Sequence, residues 1–181
     1  MKKPAKNAFI VAQMNVPAAH LKLGEYCKTF GGAYAGAMRG ESGQPDYYLF
    51  VAVGAHGENA SIEYGGRGFN EAAASHPHDG LANTLALASS ATEYPAAKWA
   101  RGLVIDGFGD YYLPAREELR FCFINCLERF DKSWHWSSSQ YAGDSGYAWG
   151  QYFDDGYQSV NSKAWKARAR AVRRVIINSI L

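Results

Sequence analysis

Flat aromatic rings and guanidinium groups crowd the last third of this 181-residue chain. Trp134, Trp136, Tyr141, Tyr147, Trp149, Tyr152, Tyr157 and Trp165 offer faces on which a base or a sugar can stack. Arg168 and Arg170 add forked donors that match phosphate or carboxylate. Rings beside arginines suit nucleotides, because the base stacks while the charged group is gripped. Aromatic strands also build cores, so Trp136 and Phe153 are assigned to buried packing, and Arg173 or Arg174 to a structural ion pair. The residues assigned to a ligand are Trp134, Tyr141, Trp149, Tyr152, Tyr157, Trp165, Arg168 and Arg170. Arg67 joins them from Tyr64-Gly-Gly-Arg-Gly68, where exposed backbone and a cation can meet an anion. That stretch lacks the strand-turn-helix frame and the lysine of a phosphate-binding loop.

Groups suited to making and breaking bonds are sparse. The serines of Trp136-Ser-Ser-Ser139 have no nucleophile-elbow glycines, and His135 reads as a strand residue facing solvent. Cys122 and Cys126 have no base nearby in sequence, and an apolar helix face disfavours their thiolates. Glu117 and Glu118 resemble a catalytic carboxylate pair, but neighbours on a helix point about 100° apart. Their place in a first turn fits the helix dipole instead. His76, His78 and Asp79 have zinc or iron ligand types, yet no second cluster completes a sphere, and Asp79 fits an N-cap for a helix near Leu81. Gln44-Pro45-Asp46 is similar to a calcium and galactose triplet of C-type lectins, although too few oxygens accompany it. Binding without catalysis, metal or cofactor is the expectation.

The elements needed to hold such a surface are legible. Ala33–Met38 and Tyr47–Val53 flank a polar loop and predict a β-hairpin. Residues 56–80 read as a glycine-rich loop. Leu81–Ser89 and Pro95–Leu103 predict short helices, the second opening on proline. From Pro114 onward, Leu119, Cys122, Phe123, Cys126, Leu127 and Phe130 recur at three and four and predict an apolar helix face. Aromatic segments from Trp134 and Tyr147 are separated by turn residues 142–146, and Asp155-Gly156 marks a hairpin. Lys166, Arg168, Arg170, Val172 and Arg174 alternate with small alanines, as on one face of a strand. Alanine, arginine and lysine equally suit a terminal helix, and the β-branched finish Val175-Ile-Ile177 favours the strand. A further short strand is expected at Phe9–Ala12.

An ordered set of blocks carries a family resemblance: Asp110-Tyr-Tyr-Leu-Pro-Ala-Arg-Glu-Glu-Leu119, Trp136-Ser-Ser-Ser139, Ala148-Trp-x-x-x-Phe153 with Gly156, and Arg168-x-Arg-x-Val-Arg173. Together they resemble the C-terminal domain family of bacterial collagen-like adhesins, frequent in phages and prophages. Gly31-Gly-x-Tyr-Ala-Gly36 and Asp79-Gly-x-Ala-Asn-Thr84 resemble its free-standing phage members. The resemblance implies a C-type-lectin-like fold. With it, the chain reads as one α+β domain, 1–181, with an N-terminal hairpin region (1–55), the glycine-rich loop (56–80) and a C-type-lectin-like portion (81–181) whose last sheet is antiparallel.

The apolar fraction of 48% supports a globular protein, and a net charge of +2 announces neither long nucleic acid nor an acidic membrane. Three cysteines, with no export signal in basic residues 1–7, suit a reducing compartment, here the cytoplasm of a host bacterium. The expected function is capture of a small anionic, nucleotide-derived molecule by a phage-type protein, as a homo-oligomer. An adhesin or receptor-binding module for a glycan or protein at the cell surface is the alternative.

Overall fold

The computed structural model describes residues 21–41 and 43–177. The expected strand Phe9–Ala12 and the basic segment 1–7 lie outside the described residues. Within them the chain is a mixed α and β structure with two sheets. A two-residue strand β1 (Tyr26–Cys27) precedes the expected hairpin of β2 (Gly32–Met38) and β3 (Tyr47–Val51), paired antiparallel across the polar loop.

The stretch 56–80, expected to be loop, contains a strand, β4 (Glu58–Glu63). Its letters are polar because it lies at a sheet edge, and its pairing comes from a distant partner rather than local propensity. The helices follow closely on expectation: α1 (Gly80–Ser89), α2 (Pro95–Arg101) and α3 (Arg116–Cys126). Asp79 caps α1, its Oδ1 accepting from the Ala82 amide at 3.0 Å, and it also accepts from Arg174 at 3.1 Å. Asp79→Ala should cost about 1–2 kcal/mol in urea unfolding, and Asp79→Asn should recover most of the loss by restoring the cap without the charge.

Five strands close the chain: β5 (Trp134–Gln140), β6 (Tyr147–Tyr152), β7 (Gln158–Ser162), β8 (Lys166–Arg170) and β9 (Val172–Ile176). The cationic run is therefore extended and not helical. It is split at Ala171, so that β9 pairs with β3 in a sheet of order β1-β2-β3-β9, while β8 enters a second sheet of order β4-β8-β5-β6-β7. The single cationic face expected of the alternation is divided accordingly, with Arg170 and Val172 buried.

The second sheet is mixed rather than antiparallel, because β8 meets β5 in parallel at His135 and Arg168. The β8–β9 run has its direction set by β9, which lies antiparallel to β3, and β8 must approach β5 in that sense.

One core packs Trp136, Tyr64, Tyr94, Leu87 and Tyr111 between the second sheet and α1 and α2. Another packs Leu119, Cys122 and Cys126 of α3 against Leu49, Val51, Tyr112 and Phe153. Trp136 and Phe153 are buried as expected. Leu127 departs from the apolar face of α3: it begins a 3-10 turn and is exposed. Burial pushes the Cys122 thiol well above its usual range and Cys126 up to about 11, so both are held as thiols. No helix among the described residues is long and apolar enough to cross a membrane.

Candidate ligand-binding site

The ligand residues read from the sequence fall into four places. Trp134 lies 5.6 Å from Tyr152 and 6.2 Å from Tyr157 by ring centroids, a cluster at the β6–β7 turn. Tyr141 meets the edge of Trp149 at 5.9 Å, and the Arg116 guanidinium covers Trp149 at 4.5 Å. Arg168 and Arg170 lie elsewhere and point into the protein's own carboxylates. Arg67 and Trp165 share a recess.

Arg168 lies 2.7 Å from Asp131 and 3.4 Å from Glu58, while Arg170 sits 3.1 Å from Glu58 and donates to the Ala52 carbonyl. His135 completes this cluster. It is fully buried, not facing solvent, with Nε2 3.3 Å from Glu58 Oε1 and Phe130 and Phe153 packed on its ring. The hydrogen bond with His135, aided by the two arginines, holds the Glu58 carboxyl below its ordinary range despite burial. These cations neutralise an internal acid, so the anion-gripping role read for Arg168 and Arg170 has no free guanidinium to carry it. Arg173 and Arg174 form ion pairs with Asp110 and Asp79.

The recess has a volume of about 440 Å³ and is lined by Arg67, Tyr147, Val160, Asn161, Ser162 and Trp165 along the outer strand β7 and the turn after it. Trp165 is 61% exposed and Phe69, two residues after Arg67, 60%. Arg67 enters no ion pair among the described residues. Of the residues assigned from sequence, the recess unites Arg67 and Trp165. Tyr147 is legible in the sequence as one ring among many, and Asn161 and Ser162 carry no signal there.

The Arg67 loop is held from beneath. Gly65, Gly66 and Gly68 all have positive φ, a backbone that side chains resist. The Gly65 amide donates to the Lys163 carbonyl at 3.1 Å and Gly68 to Ser145 at 3.2 Å. Fully buried Lys163 directs Nζ to the Phe69 carbonyl at 2.9 Å and to Gln140 Oε1 at 2.8 Å.

The serine run serves the scaffold. Ser137 donates to the Trp149 carbonyl, Ser139 to the His76 carbonyl, and Asn83 ties His76 to both Ser138 and Ser139. A second recess of about 270 Å³ is lined by Arg39, Glu41, His76, His78, Asp79 and Arg174. Within it His78 lies 3.4 Å from Glu41 and Arg174 pairs with Asp79, while Arg39 enters no ion pair among the described residues; the two carboxylates in the lining disfavour an anion there. Among the described residues no group of three or more His, Cys, Asp or Glu side chains could hold a metal ion.

Glu118 stands in the first turn of α3 as expected, and its burial there gives it a further structural part. It is fully buried and accepts from the Tyr47 and Tyr112 hydroxyls at 2.7 and 2.8 Å and from the Ala115 and Gly80 amides at 2.8 and 3.2 Å. Burial raises its carboxyl, and those donors oppose the rise. No family model matches the chain, and a search of curated proteins returns no significant match.

Proposed function

We propose that this is a C-type-lectin-like, phage-type protein that captures a small anionic, nucleotide-derived molecule inside the bacterium without converting it. The observation that carries this reading is the recess in which Arg67, without a carboxylate partner among the described residues, adjoins the exposed ring of Trp165 and that of Tyr147. A guanidinium beside stackable rings matches a phosphate joined to a base. The volume of about 440 Å³ lies within the range of small-molecule pockets. A homo-oligomer acting in the cytoplasm, with neither membrane nor long nucleic acid as partner, belongs to the same proposal.

The protein is to be incubated with bacterial lysate, repurified and denatured, and what is released is then read by mass spectrometry. A nucleotide mass is expected from the wild type. Arg67→Ala should weaken its retention by about 2 kcal/mol, roughly 30-fold, with the fold intact. Empty wild-type protein would sink the proposal. The adhesin reading draws on a different observation, the exposed rings of Phe69, Tyr141, Tyr147 and Trp165, which suit a macromolecular surface. Binding to glycan arrays or whole cells by protein that releases no nucleotide would favour it, and conversion of a supplied nucleotide into product would overturn both.

A further inference from the structure

A lysine buried without a carboxylate is an unusual thing for a fold to keep, since moving an ammonium out of water is costly unless it is paired. Lys163 is fully buried and forms no salt bridge among the described residues. Burial lowers it to about 8, with the more distant Asp144 opposing. Its amine spans two elements: the Phe69 carbonyl on the Arg67 loop, and Gln140 Oε1 at the end of β5, which also accepts from the Glu71 amide. The Tyr64 ring, 5.7 Å away, closes one side.

The backbone of Lys163 repeats the link, its carbonyl receiving the Gly65 amide and its own amide reaching Gly146. Both ends of the loop that carries Arg67 are therefore fastened to one residue, which stands in the turn that also presents Trp165. Gly66 lies against the Tyr94 ring, so the loop cannot settle inward without displacing a buried aromatic. A loop of three positive-φ glycines left to itself would sample many conformations.

We infer that Lys163 is a positioning residue of the recess: its buried amine ties the Arg67 loop to the sheet, fixing the distance between the Arg67 guanidinium and the Trp165 ring. This rests on the capture reading of the same recess and names what pre-organises it. Pre-organisation of this kind raises affinity because the loop's ordering is completed before the ligand arrives.

The test uses the full chain, Lys163→Met as a shape-matched variant lacking the donors, and Lys163→Gln as a second that keeps a shorter, neutral amide donor group. Hydrogen exchange is followed at the amides of Gly65, Gly68 and Phe69, and binding of ADP is titrated by calorimetry. In Lys163→Met those amides should exchange at least about 10-fold faster while Ser137–Ser139 in β5 stay protected, with Lys163→Gln between the two. ADP should bind about 10-fold more weakly, and that loss should vanish when Lys163→Met is made in an Arg67→Ala background. Unchanged exchange at the loop overturns the inference, as does a binding loss that is undiminished without Arg67. Wild-type protein that ignores ADP counts against the capture reading alone, and the exchange result then still decides whether Lys163 holds the loop.

Discussion

Glu118→Ala should lower the free energy of unfolding by about 4 kcal/mol, among the largest effects of any single substitution in this chain. The physical reason is the number of donors it abandons. Two tyrosine hydroxyls and two backbone amides converge on this carboxylate, and Tyr47, Tyr112, Gly80 and Ala115 are all buried, with the His78 carbonyl 3.4 Å from the Tyr47 hydroxyl as a second acceptor. Each buried donor left unpaired costs about 1–3 kcal/mol, and partial collapse of the site recovers some of the sum. The group also joins three parts of the fold: β3 through Tyr47, the start of α1 through Gly80 and the start of α3 through Ala115. Losing it should therefore lower cooperativity as well as the urea midpoint. Glu118→Gln keeps the shape and one accepting oxygen but turns an amide NH2 toward two donors, and should cost about 2 kcal/mol. Equilibrium urea unfolding of the three proteins checks the ranking, and a loss below about 1 kcal/mol in the alanine variant would show that the donors find other partners.

The second large effect belongs to Glu58. Glu58→Ala leaves Arg170 and His135 buried with no carboxylate, and removing one partner of a buried ion pair costs about 3–5 kcal/mol. Its pH dependence has a definite sign. The His135 hydrogen bond and the two arginines lower the folded-state value below the ordinary 4.5, so the stabilisation is complete above that value and disappears as pH falls through the folded one. Wild-type stability should therefore drop on acidification below about pH 4.5, and Glu58→Gln should flatten that limb. Glu118 contributes in the opposite sense, because burial raises it: its part is full below the ordinary value and is lost as pH rises through the folded one. Unfolding series from pH 3 to 7 on the two glutamine variants separate the contributions, and an acid limb unchanged in Glu58→Gln would dismiss the ion cluster as its source.

Glu58 also engages the guanidinium groups of Arg168 and Arg170 within the fold. In sequence, Arg168 and Arg170 follow a ring-rich stretch whose acids, Asp154 and Asp155, read as turn residues, and alternation puts the two arginines on one face. The acid that meets both, Glu58, is more than a hundred residues away, on an edge strand whose polar letters read as loop, and Asp131 meets Arg168 besides. Arg67 shows the reverse. Its loop has little pattern beyond glycine, yet the fold lays it beside Trp165, close to a hundred residues downstream.

The local elements are legible in the order of the amino acids. Three-and-four spacing produced α3, proline and Asp79 placed the starts of α2 and α1, and aspartate-glycine and glycine-rich turns divided β5, β6 and β7. These signals are readable because each arises from neighbours within a few residues, through backbone conformation and periodic burial. Long-range packing alone puts β8 and β9 in different sheets, Glu118 and His135 inside, and the Lys163 amine against the Phe69 carbonyl and Gln140. Those outcomes depend on which distant group supplies a charge or a hydrogen-bond partner. A lysine or glutamate carries no mark of that in its own letter or its neighbours, since burial of an ionisable side chain is tolerated only where the rest of the fold brings the complement to it.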